Sequence, residues 1–213
     1  MSLGIKISEV TGLSQKRLES IPIVQDILNG KYPKENYINL LKNLYPIVLN
    51  FCPIMAAAAS RCKPQDINLQ NYLYEHIFEE KRHEKMILDD LLAFDIPLLE
   101  VTDAVSSFPV QAMIAFNYHM QDRSSVYSVL GMIYVLEVVS SQYGDKVANG
   151  VAKNMNRSLD NGFSFLSSHS TMDVDHMLKL KEILQLIHDP VDQNILFECI
   201  KMNFYFIAQI IRE

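Results

Sequence analysis

The sequence predicts an all-α protein, and three observations lead there. Apolar residues recur at the helical period almost everywhere along the 213 residues. No segment sustains the alternation of a half-buried strand. Glycine is sparse, at 7 residues, which disfavours a fold built from many tight turns. The length suits one domain, residues 1–213, able to bury a sizeable core.

Taken in order, residues 13–30 read as a helix, with Ser14 placed to cap it and Gly30 to stop it. Residues 34–62 form a long helix that Pro46 and Pro53 should kink. Residues 66–94 follow as a third helix, closed by "DIP". Residues 106–121 and 124–155 come next, and any break in the second falls at Tyr143–Gly144. Residues 174–188 and 191–213 complete a bundle of about seven helices. Several are apolar over most of their surface, which places them at the centre.

Composition narrows the function classes. Net charge is −6 and no Lys/Arg run exceeds two residues, so the chain lacks a nucleic-acid footprint. The start, "MSLGIKISEV", has no apolar signal-peptide core. The most apolar window, "YPIVLNFCPIMAAAA", is short for a membrane span and contains Asn50 and Pro53. Cys52, Cys62 and Cys199 are odd in number and form no CxxC pair. A reduced, cytoplasmic setting is the simplest expectation.

Two clusters and one isolated residue carry chemistry. In "HIFEEKRH", His76 and His83 are seven apart and project from one helix face, with Glu80 between them and Glu79 within reach. A solvated salt-bridge face is the competing reading of this segment. In "HSTMDVDH", His169, Asp173 and His176 follow i, i+4, i+7 and share a side if the helix begins by His169. Ser168 or Ser170 could instead cap a helix that starts there, weakening the alignment. Glu137 sits in "GMIYVLEVVSS", an apolar run that should desolvate its carboxylate. Such a group needs a proton, a partner or a metal, and a tyrosine or Lys146 would serve as partner. Together the clusters supply what a dinuclear site between facing helices requires. Imidazole and carboxylate without thiolate suit iron or manganese. His119 reads as a core-edge or surface residue, and His188 as a helix C-terminal charge.

The runs "HIFEEKRHEKMILDDL", "LGMIYVLE" and "FLSSHSTMDVDH" resemble the heme-oxygenase-like di-iron oxidases, a group near thiaminase II and pyrroloquinoline-quinone synthase. The resemblance covers roughly residues 15–210 in helix order and implies a heme-oxygenase-like bundle. It implies metal ligands at His76, His83, Glu137, His169, Asp173 and His176, with Glu137 bridging two irons. The family carries glutamate where this chain has His76, and Glu80 has a competing claim on that slot. Tyr134, Tyr143 and Lys146 are candidates for roles beside the metals, and ordinary packing or surface exposure competes for each.

The expected activity is therefore oxidation of a small organic molecule by O₂ on a non-heme di-iron centre, with manganese as the alternative metal. Heme degradation is disfavoured, because residues 1–75 contain no histidine and "VVSSQYG" follows Glu137 where bacterial heme oxygenases have glycines. Thiaminase chemistry is disfavoured, because no cysteine lies between residues 63 and 198. Two other readings stand beside it: a protein-interaction module with a vestigial metal site, and a metal-free enzyme of cofactor biosynthesis. The resemblance also implies a homodimer.

Overall fold

Helical periodicity is realised along nearly the whole chain. The structure is a computed structural model that describes residues 3–213, the side chains of residues 169–175 excepted. Among the described residues there are ten α-helices and no strand. They are α1 (Leu3–Glu19), α2 (Pro22–Leu28), α3 (Lys34–Ala59), α4 (Ile67–Glu80) and α5 (His83–Leu92). After them come α6 (Leu99–Thr102), α7 (Phe108–Arg123), α8 (Val129–Asn154), α9 (Ser164–Gln185) and α10 (Pro190–Arg212).

The all-α class is as expected, and the helix boundaries differ from expectation for identifiable reasons. The first helix begins at Leu3, so Ser14 lies inside α1 rather than at its start. Pro22 opens α2, where its missing N–H costs nothing, and so divides the 13–30 segment. Gly30 does follow the end of α2, at φ +65°. The 66–94 segment divides at Lys81–Arg82, because Arg82 adopts the left-handed conformation at φ 73°. Tyr143–Gly144 is no break, since α8 runs through it. Gly144 instead lets α9 come close, because an added Cβ would sit 3.2 Å from the Leu166 carbonyl oxygen.

The largest difference is the start of α9, at Ser164 rather than residue 174. Asp90 of α5 supplies the cap. Its carboxylate accepts from the Ser164 and Phe165 amides at 2.9 and 2.8 Å and from the Ser164 hydroxyl at 2.8 Å. These bonds satisfy two of the amides a helix start leaves without intrahelical partners. Residues 169–176 therefore lie on one continuous helical backbone.

Helix α8 is central and packs against α9, α10, α2, α3 and α7. From Val129 to Val138 it is buried except at half-buried Leu136. Its approach to α10 depends on Gly131, where a Cβ would fall 2.6 Å from that of Cys199. A buried amide pair joins α7 to α10: Asn117 Nδ2 donates to Asn203 Oδ1 at 2.8 Å, and Asn203 Nδ2 returns the bond at 3.2 Å. The larger core includes Ile54, Met113, Ile133 and Ile200. A second gathers around Tyr37, Phe94 and Phe163, whose ring centroids lie 5.0–5.6 Å apart. Helices α3 and α10 have the length and apolar composition to cross a membrane, which the short window within α3 alone does not suggest. In this fold both contribute to the core, through Ile47, Ile54 and Met55 and through Leu196, Ile200 and Phe204.

Candidate metal centre

The site begins with the inward stripe of α4. Leu69, Tyr72, Leu73, His76 and Glu80 are all buried, and their spacing puts them on one helical face. The apolar members draw that face into the core, and His76 and Glu80 go with it. Glu137 enters from α8 and His176 from α9, each 5% exposed. One ligand atom from each of His76, Glu80, Glu137 and His176 falls within a cluster no more than 4.8 Å across.

The contacts define how the cluster is oriented. His176 Nδ1 lies 3.1 Å from Glu137 Oε1 and 3.5 Å from Glu80 Oε1. Its Nε2 faces outward, 3.3 Å from Glu79, whose other oxygen accepts from Lys179 Nζ at 2.6 Å. His76 Nε2 is 3.4 Å from Glu137 Oε1, and neither ring nitrogen of His76 has a hydrogen-bond partner among the described residues. Glu137 Oε2 likewise has none among the described residues. The His76 and His176 rings meet edge to face, with centroids 4.7 Å apart. His83, at the first position of α5, sets Nδ1 2.8 Å from Glu80 Oε2.

Electrostatics favour the charged forms of Glu137 and His176. Burial pushes the Glu137 carboxyl up, but its hydrogen bond with His176 and the nearby His76 imidazole outweigh it and hold the group below the usual carboxylate range. Burial works to lower His176, and Glu137, Glu80 and Glu79 overcome it, holding the imidazolium above its ordinary range. Two buried carboxylates thus face two imidazoles in a region of low dielectric, where bare charge is costly.

These residues fit a metal ion. The donors are two nitrogens and two oxygens with no thiolate, a set suited to iron or manganese. The His76 ring nitrogens and Glu137 Oε2 are metal-ligating atom types that no other described residue engages in a hydrogen bond. The outward nitrogen of His176 against Glu79 has the arrangement by which an outer carboxylate fixes a metal-binding imidazole.

Of the residues singled out in the sequence, the structure brings together His76, Glu137 and His176, with His83 next to them through Glu80. His76 and Glu80, rival claimants for one slot, both reach the cluster. The side chains of His169 and Asp173 lie outside the described residues. His76 and His83 do not share a continuous helix, because Arg82 turns the chain between them. Tyr134 shares a 2.8 Å hydrogen bond with Thr11, and Tyr143 donates to Glu19 at 3.0 Å, so both hydroxyls are tied to α1. Lys146 is exposed and lies 5.5 Å from the Tyr143 ring centroid. His119 and His188 are exposed.

Tyr72 is the residue the sequence reading missed. It is 5% exposed, stacks on His76 at a centroid distance of 5.4 Å, and its hydroxyl has no hydrogen-bond partner among the described residues. Burial raises its phenol well above the ordinary value, and Glu137, Glu79 and Glu80 add to the effect. Its position four residues before His76 was the available signal.

An all-helical bundle with a buried histidine–carboxylate cluster defines the class: a helical fold able to hold a metal between α4, α8 and α9. Residues 38–203 match the family of iron-containing redox enzymes, and the chain belongs to that family. Among solved structures it is similar to a domain of unknown function with a heme oxygenase-like fold from Shewanella denitrificans. Identity there is 20% and the TM-score 0.88, over 100% of this chain and 91% of that one. It is also similar to a TenA homolog from Pseudomonas syringae, at 14% identity and TM-score 0.80, over 99% and 91% of the two chains. The heme oxygenase from Leptospira interrogans matches at 19% identity and TM-score 0.75, over 99% and 98%. At these identities the structures establish the heme oxygenase-like fold. A search of the curated proteins found no match.

Proposed function

We propose that the protein is a non-heme di-iron oxidase or oxygenase that uses O₂ to oxidise a small organic molecule. The observation that carries this reading is the convergence of His76, Glu80, Glu137 and His176 on one buried point, where the His76 nitrogens and Glu137 Oε2 have no hydrogen-bond partner among the described residues. Iron bound there would supply redox equivalents and open positions for O₂. The two histidines are neutral donors when deprotonated, and the two glutamates match the charge of one divalent ion. A second ion would draw on His83 and, by expectation, on His169 and Asp173. Glu79 orients His176, and His83 orients Glu80. Phe51, edge-on to His76 at 5.8 Å, and Tyr72 exclude water from the α4 side. A heme would need an axial donor, and α1, α2 and α3 contain no histidine. The setting we propose is cytoplasmic, with O₂ and a small molecule as partners and a homodimer as the assembly.

The test is metal stoichiometry per chain after anaerobic Fe(II) reconstitution, with O₂ uptake followed on the same sample. Near two irons with rapid uptake is the expected result. One tightly held iron with uptake would reduce the centre to a single ion. Neither specific metal nor uptake would overturn the reading and leave the interaction module in its place.

A further inference from the structure

Between α3 and α8 lies a cavity of about 130 Å³. At roughly 10–15 Å³ for each water-sized site, it has room for about ten non-hydrogen atoms. One wall is a stripe of α8, Glu137, Ser140, Gly144 and Val147, and the facing wall is a stripe of α3, Leu40, Leu44, Ile47 and Phe51. With a rise of 1.5 Å per residue, each stripe runs for about 15 Å. The two ends differ in chemistry. Phe51 abuts His76, and Glu80 joins Glu137 at this end. Val147 at the other end belongs to the second apolar core.

Along its length the cavity is mostly apolar, closed by Ile27 of α2 and by Ile207 and Ile210 of α10. No lysine, arginine or histidine lines it among the described residues. Its two tyrosine hydroxyls are engaged elsewhere, Tyr32 donating to the Asn36 carbonyl at 3.2 Å and Tyr143 to Glu19 at 3.0 Å. The Ser140 hydroxyl lies one helical turn from Glu137, toward the polar end. Beyond it, a charged or strongly polar group would be buried without a side-chain partner among the described residues, which is costly.

We propose that this cavity is the substrate site, and that it takes an unbranched alkyl chain of about ten non-hydrogen atoms with one polar head. The head lies at Glu80 and Glu137, and the tail runs toward Val147. An extended ten-carbon chain, whose bonds of about 1.5 Å each advance it about 1.25 Å, is about 11 Å long and fits within the slot. The proposal rests on the metal-centre reading only for the direction of the head. The fit of the tail is independent of any metal.

The experiment is calorimetric titration of the metal-free full chain with 1-alkanols of four to twelve carbons and with the α,ω-diols of equal length. Affinity should rise about fourfold for each methylene and stop rising near ten atoms. Each diol should bind at least tenfold more weakly than its alcohol, because its second hydroxyl would be buried unpartnered. Val147→Phe, which fills the far end, should lower the length limit by two or more carbons and leave 1-butanol binding unchanged. Leu44→Phe is the second wall variant, should the first fail to fold. A flat series, equal binding of diols and alcohols, or an unmoved limit in a folded wall variant would overturn the proposal. Because no metal is present, failure here is separate from failure of iron binding. A chain that binds iron but shows a flat series loses the alkyl site alone.

Discussion

Among the described residues, Tyr72 and His76 together concentrate unmet hydrogen-bonding capacity in one place. A buried hydroxyl without a partner costs about 1–3 kcal/mol. Tyr72→Phe should therefore raise the stability of the metal-free protein by about 1 kcal/mol in urea denaturation, keeping the ring stacked on His76. A loss of stability would reveal a partner for the hydroxyl and contradict this account. Glu137 is the shared residue of the cluster, within 3.4 Å of both His76 and His176. Glu137→Ala should abolish binding of all metal, and His176→Ala that of at least one ion, read as metal content per chain. Unchanged content in both variants would remove these residues from the ligand set. His76→Glu adds a carboxylate where the resemblance to the di-iron oxidases implies one, and should raise occupancy if charge limits the second ion.

At the scale of elements, the α4–α5 junction decides the site. Arg82 in the left-handed region ends α4 just after Glu80 and restarts the chain at His83. That turn sets the His83 ring beside the Glu80 carboxylate at 2.8 Å. A left-handed residue other than glycine costs about 1–2 kcal/mol. Arg82→Gly should thus leave stability unchanged or raise it by up to about 1 kcal/mol, with metal binding intact. Arg82→Val, whose branched side chain resists this conformation, should lose more than about 1 kcal/mol by thermal or urea unfolding. Equal stability of the two variants would show that the turn is not held in this conformation. Asp90 acts similarly at a distance: by capping α9 from α5 it carries the helix back to Ser164, so that the backbone of 169–176 is continuously helical.

For the whole molecule, metal and fold are linked. A ligand that binds only the folded chain at 100 times its Kd stabilises it by about 2.7 kcal/mol. In a protein of this size that corresponds to a rise of roughly 5–10 °C in Tm. Anaerobic Fe(II) should produce such a rise and a chelator should reverse it, both read by calorimetry. No shift at saturating Fe(II) would mean that the buried cluster does not couple iron to folding. The cavity extends from the same cluster toward the second core, so the centre and the slot share the α3–α8 interface.

The sequence by itself determined the helical class, the i, i+4 pairing of His76 with Glu80, and a carboxylate at Glu137 within an apolar run. These are local patterns, since side-chain period and burial follow from residues a few positions apart. It did not determine that α4 ends at Glu80, because the left-handed Arg82 that turns the chain there has no compositional signature. It did not reveal the start of α9, because the Asp90 cap lies 74 residues away in the chain. Nor did it decide between His76 and Glu80, which became one site only when α8 and α9 closed over α4. Tertiary structure decided that convergence and the cavity beside it. Both depend on which helix faces meet, and side chains 39 to 61 positions apart are placed in contact by packing rather than by spacing.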